Sequence, residues 1–298
     1  MEYLAKAGYD VFAMDPTGFG LSPRPMMDNP CNNSPAQQQL YLIPKTLAQP
    51  CPAPYPYQLT SIYSDWDEID TIVEYIRDLR DVSKVHLIGW SFGGNRAGGY
   101  AAKHPDKVSS MFLLAPGNYF SSAPSSPPSP LPLPGVPSNI LGIGDFHAAW
   151  DSQVECENQF APGIRDAINW TMIAFDPLGS TWGNEGVRRA PSLNTTPASP
   201  WTPWNKGMAS QVRTPTLIIN GGLDKTVLPS VVLSLYDDLA AVQKIHVHVA
   251  CASHYLFWET QHEILLRASE EWLRQGTFAS QVNGTFAVDT AGQVRKEK

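Results

Sequence analysis

The chain has 298 residues, a formal net charge of −7 and 43% apolar residues, enough for one large domain or two small ones around a real core. The acidic balance, with basic residues gathered only in the short tail Arg295–Lys298, argues against a nucleic-acid partner. No apolar stretch reaches the length of a membrane span, and Met1–Gly8 lacks the basic-then-apolar pattern of a secretory signal.

In chain order, Met1–Lys6 reads as the last turns of a helix. Gly8 opens the apolar run Tyr9–Met14, which predicts a strand, and Asp15–Gly20 predicts a Gly-rich turn after it. Prolines and polar residues from Ser22 to Thr60 predict a long ordered loop. Ile69, Ile72, Val73, Ile76 and Leu79 have helical spacing within Asp67–Arg80. Val85–Ile88 reads as a strand buried on both faces, Gly89–Gly94 as a sharp turn, and the following segment as a helix ending near His104, before Pro105. Further strands are predicted at Val108–Ala115, Thr216–Asn220 and Ile245–Val249, with helices at Pro229–Ala241 and Thr260–Gln275. Strands alternating with helices give an α/β fold with a mostly parallel sheet covered on both faces. The core is expected over residues 1–116 and 212–276, with a short tail, residues 277–298, that could form a hairpin.

Between them the alternation stops. Residues 117–211 begin with the Ser/Pro-rich stretch Ser121–Ser138 and then carry Trp150, Trp170, Trp182, Trp201 and Trp204, five of the nine tryptophans. An insert at this point lies above the strand ends where ligands bind, so it reads as a cap over a pocket with aromatic walls. Four cysteines show no metal-binding spacing. Cys31 and Cys51 flank the Pro-rich excursion; a bridge there would close about 20 residues, contribute roughly 3 kcal/mol and favour an oxidising, exported setting, whereas free thiols would favour the cytoplasm.

The pattern that carries chemistry is Gly89-Trp90-Ser91-Phe92-Gly93, with an apolar strand before it and a helix after it. A serine on such a turn is exposed on a strained backbone, and the N–H of Phe92 at the helix start can meet developing negative charge. Trp90, beside the serine, is the candidate substrate-binding residue. A hydroxyl needs a base. Of the seven histidines only His254, in Ala252-Ser253-His254-Tyr255, falls just past a strand end. Asp224, straight after the strand Thr216–Asn220, is the matching acid, able to hold the imidazole tautomer.

With these residues in hand the chain resembles the α/β-hydrolase superfamily. The order Ser91, Asp224, His254 matches, Gly8–Ser22 looks like that family's fourth strand and following turn, and His104–Val108 looks like the link to its sixth strand. The resemblance covers roughly residues 1–116 and 212–275. It implies hydrolysis through an acyl-enzyme without a cofactor or metal, on a small-molecule ester. Serine at the elbow argues against the dehalogenase and epoxide hydrolase branches. The family's first three strands and its His-Gly loop have no counterpart here, which leaves Phe92 as the one assignable oxyanion donor. The chain is therefore expected to be a piece of a longer one and a weak or unstable enzyme. The flanking strands would pair directly, or a second copy in a homodimer would fill the gap. Alternatives are an aminopeptidase, with Glu155, Glu185 or Asp176 binding an amine, a carbon–carbon hydrolase, or a non-catalytic binding protein.

Overall fold

The structure, a computed structural model, describes residues 1–122, 132–193 and 204–297. Its helices are α1 (Glu2–Lys6), α2 (Pro35–Gln37), α3 (Ile62–Arg80), α4 (Phe92–Lys103), α5 (Ile143–Asp151), α6 (Ile164–Ala174), α7 (Lys206–Ala209), α8 (Pro229–Asp238) and α9 (Glu263–Gln275). Its strands are β1 (Val85–Trp90), β2 (Val108–Leu114), β3 (Ser138–Leu141), β4 (Arg188–Pro191), β5 (Thr216–Gly221), β6 (Lys244–Val249), β7 (Gly284–Val288) and β8 (Val294–Lys296).

The main sheet has the order β1-β2-β5-β6-β7-β8, parallel except for the β7/β8 pair. The apolar runs that predicted β2, β5 and β6 are continuous because both faces are covered; β1, expected to be buried on both faces, is the edge strand of the sheet, and its His86 and Ile88 are exposed. Met111, Leu113 and Ile218 pack with Trp66 and Val73 of α3, Tyr100 of α4 and Leu235 of α8. Their neighbours Phe112, Leu114, Leu217 and Ile219 point the other way, onto Ile264, Ala268 and Trp272 of α9. Helix α3 starts where Ser61 and Ser64 cap each other reciprocally, five residues before the predicted start at Asp67. Among the described residues no helix is long and apolar enough to cross a membrane.

Several elements differ from expectation. Tyr9–Met14 is not a strand: no neighbour supplies the lateral hydrogen bonds that define one, and it does not pair directly with β1. The tail is a hairpin, but its first strand also joins the sheet beside β6, so it belongs to the core. The Pro-rich excursion is more than a loop. It contains α2, is closed by a Cys31–Cys51 disulfide, and packs on the insert, with Leu42 buried against Ile140, Trp182 and Val187. Arg189 of β4 fastens the two, binding Asp176 and reaching the carbonyl oxygen of Met27 and the carboxylate of Asp28, both at 2.8 Å. A second disulfide, Cys156–Cys251, which the sequence pattern does not pair, ties the insert to the loop after β6.

Candidate active site

β1 delivers Ser91 to the sheet's carboxyl edge. Ser91 stands between β1 and α4 at φ 54° and ψ −120°, a conformation that costs a non-glycine residue about 1–3 kcal/mol. Neighbouring backbone holds it there: its N–H donates to the Leu114 carbonyl, and its own carbonyl accepts from Gly94 and Gly117, each at 2.9 Å. The turn is tight enough that a Cβ on Gly89 would lie 2.4 Å from the Gly93 oxygen and one on Gly94 2.6 Å from Pro116. A Cβ on Gly93 would meet nothing within 4 Å, so there the glycine is not demanded by space.

Two later loops supply partners. His254 follows β6, and its Nε2 lies 2.9 Å from Ser91 Oγ. Its Nδ1 lies 2.8 Å from Oδ2 of Asp224, which follows β5. The other carboxylate oxygen, Oδ1, accepts from the N–H groups of Thr226 and Val227 at 2.9 and 2.7 Å, which fixes the plane of the carboxylate. Asp224 and His254 are buried, at 2% and 4% exposure. An acid acceptor on Nδ1 places the ring proton there and leaves Nε2 to accept from the serine hydroxyl. The loops touch through backbone as well: Leu223 N–H donates to the Ala252 carbonyl and Gly222 N–H to that of Val249, both at 2.8 Å.

A cavity of about 290 Å³ opens beside Ser91 and Phe92, walled by Gly117, Phe120, Val227, Leu228 and Val231. Trp90 is not part of that wall. Its side chain turns to the other side of the strand end, where its indole N–H donates to the His254 carbonyl at 3.0 Å and its ring lies 5.4 Å from the imidazole. The expected aromatic walls come from Tyr119 and Phe120 at the start of the insert, not from its described tryptophans. Trp150, Trp182 and Trp204 are buried packing residues, Trp170 is exposed, and Trp201 lies outside the described residues. Other aromatics of the insert support the histidine loop: Phe146 and Trp150 pack on Tyr255 at 5.6 and 4.7 Å. Burial there, with Asp224 nearby, pushes the Tyr255 phenol above its ordinary pKa.

Three insert acids were candidates for an amine. Asp176 is consumed by Arg189, and although burial pushes its pKa upward, the guanidinium holds it below the usual carboxylate value. Glu155 pairs with Lys225 at 2.8 Å, and Glu185 is exposed and is not among the cavity residues. Sequence reasoning missed Gln153 and Glu259, whose buried side chains bond the histidine loop; Glu259 accepts from Ser253 N–H at 2.7 Å. Nothing in a lone Gln or Glu signals this.

A parallel sheet with a serine at its strand-to-helix elbow, faced by a histidine and a carboxylate from later strand ends, defines an α/β fold of the hydrolase class. The family profile described as alpha/beta hydrolase fold matches residues 1–261, and the chain belongs to that family. It is 28% identical over 113 residues to the poly(3-hydroxyalkanoate) polymerase subunit PhaC of Allochromatium vinosum, a match covering 38% of this chain and 27% of that relative's length. Among solved structures it is similar to the Paleococcus ferrophilus monoacylglycerol lipase (21% identity, 74% of this chain and 77% of that one, TM-score 0.45). It is also similar to a meta-cleavage product hydrolase, CumD (20% identity, 74% of each chain, TM-score 0.48).

Proposed function

We propose that this hydrolase cleaves carboxylic esters of small molecules through an acyl-enzyme, with Ser91 as nucleophile, His254 as general base and Asp224 as the acid that orients it. The observation that carries the reading is the continuous relay from Ser91 Oγ through His254 to Asp224, at 2.9 and 2.8 Å, beside a largely apolar cavity. As Oγ attacks the ester carbonyl, His254 Nε2 takes its proton. Collapse of the tetrahedral adduct expels the alcohol, which leaves with that proton. Water then attacks the acyl-serine, again giving its proton to His254, and the free acid departs as the serine is restored. Asp224 keeps the proton on Nδ1 and stabilises the imidazolium. The N–H of Phe92, at the start of α4, is the donor assigned to the oxyanion. Trp90 is assigned to holding His254 rather than to touching substrate. A cavity of about 290 Å³ suits a short acyl or alcohol group better than a long chain.

The test is hydrolysis of short p-nitrophenyl esters together with labelling by a fluorophosphonate, which reacts only with an activated serine. The native chain should label and turn over, and Ser91→Ala should do neither, losing at least about 10³-fold in kcat. A Ser91→Ala protein with undiminished esterase activity would overturn the assignment.

A further inference from the structure

We propose that Gln153, a residue of the insert, is a positioning residue that sets the separation between the loop carrying Asp224 and the loop carrying His254. The inference rests on the reading of those residues as acid and base. Gln153 follows α5 and is 1% exposed. Its Oε1 accepts from two backbone N–H groups, Lys225 at 3.0 Å and His254 at 3.1 Å. Its Nε2 donates to the Ala149 carbonyl at 2.9 Å and to Thr226 Oγ1 at 3.1 Å. A carboxamide has two acceptor sites and two donor hydrogens, and all four are used.

The partners are what make this more than a buried hydrogen bond. One planar group bonds the base's own N–H and the N–H of the residue next to the acid. It also bonds the hydroxyl of Thr226, whose backbone N–H in turn orients the Asp224 carboxylate. The backbone contacts between the two loops lie at Gly222 and Leu223, before the acid; Gln153 acts at the level of the acid and base themselves. The backbone of Gln153 is itself braced. Gln159 Nε2 donates to the Gln153 backbone carbonyl at 3.1 Å and to Glu259 at 2.9 Å, and the Cys156–Cys251 bridge anchors the same segment. The insert thus works as a clamp on two catalytic loops.

Removing the acceptor would leave two buried N–H groups without a partner and let the loops separate. An ångström of misplacement at a reacting group costs on the order of 10² in rate. The charged groups about His254 are Asp224, bonded to it, and Glu259, behind Ser253. Lys225 is paired outward with Glu155, and Arg188 has a charge that reaches Tyr255. Replacing Gln153 by methionine alters none of them.

The experiment compares Gln153→Met, which keeps the volume and loses the acceptor, with Gln153→Glu, which keeps it. Turnover of p-nitrophenyl acetate is normalised to the serines titrated by fluorophosphonate, so loss of folded protein does not count. Gln153→Met should lose about 10- to 100-fold in kcat with KM within about twofold; Gln153→Glu should recover most of kcat. Unchanged kcat per titrated serine in Gln153→Met, or a folded Gln153→Glu as impaired as the methionine variant, would overturn the clamp. If Gln153→Met does not fold, Gln153→Glu decides alone, and a kcat loss beyond about 100-fold in it refutes the proposal. A native chain that neither labels nor turns over sinks the active-site reading and this inference with it; labelling with an indifferent Gln153 sinks only the inference.

Discussion

Arg189 offers the sharpest test of how the insert and the Pro-rich excursion are joined. Its guanidinium is 3% exposed and the Asp176 carboxylate 1%. Nε bonds both carboxylate oxygens at 3.1 and 3.0 Å, a terminal nitrogen bonds Oδ1 at 2.6 Å, and the other reaches Met27 and Asp28. Arg189→Met removes all of these and leaves a buried carboxylate with only the backbone N–H groups of Gly179 and residue 189. Breaking one side of such a pair costs about 3–5 kcal/mol, because the remaining charge is uncompensated. At about 2 cal/mol/K of unfolding entropy per residue, a chain of this size should melt about 5–8 °C lower. Adding Asp176→Asn removes the orphaned charge but keeps an acceptor for only one of the two N–H groups, which bond different oxygens, so the double variant should regain part of the loss. Thermal unfolding followed by circular dichroism, with hydrogen exchange over the excursion and insert, reads both effects. A single variant within about 1 kcal/mol of native, or a double variant no better than the single, would refute this account of the pair. The pair also predicts acid sensitivity. Asp176 titrates below its ordinary value when folded, so its contribution is complete above the unfolded carboxylate range and disappears as pH falls through the folded value.

Two further outcomes follow from the same physics. His246 is buried, with Nε2 2.7 Å from Asn220 Oδ1, and burial depresses its pKa from 6.5 to about 4. The unfolded chain therefore binds the proton first, and about 3 kcal/mol of stability, present above pH 6.5, should be lost between pH 6.5 and about 4. Urea midpoints across that range should show the loss and His246→Gln should flatten it; a native curve flat over the window contradicts the reading. At the elbow, Gly89→Ala should sharply reduce folded protein, because its Cβ would sit 2.4 Å from backbone, whereas Gly93→Ala should melt no lower than native. Equal melting temperatures for the two would count against the steric argument.

Strands β1, β2, β5 and β6, and the meeting of Ser91 with His254 and Asp224, were legible because their signals are local or ordered along the chain. A buried parallel strand shows itself as an unbroken apolar run, and a serine set between glycines at a strand-to-helix turn is a pattern that little besides a nucleophile's elbow requires. Tyr9–Met14 misled for the complementary reason. Its apolar pattern reports a segment suited to pairing, but pairing needs a neighbour, and nothing in its own residues says whether one stands alongside. Trp90 was read from its adjacency to Ser91, yet side chains alternate across a strand, so adjacency in sequence put it on the histidine's side rather than in the cavity.

The insert was the least legible part, for a reason that bears on how the site works. Its tryptophans suggest pocket walls because aromatic residues near strand ends commonly serve as such. Trp150 instead lies fully buried, donating to Glu259 at 2.9 Å and stacking on Tyr255, so its apolar area supports the loop that carries His254. Gln153, Gln159, Glu259 and Cys156 converge on that loop from sequence distances of up to about 100 residues, by polar bonds and a disulfide that leave no periodic trace. Ser91 is held by backbone bonds to Leu114, Gly94 and Gly117, whereas Gln153 of the insert bonds the loops that carry Asp224 and His254. On the proposed reading of those loops, a substitution at Gln153 should change catalysis without altering any wall of the cavity.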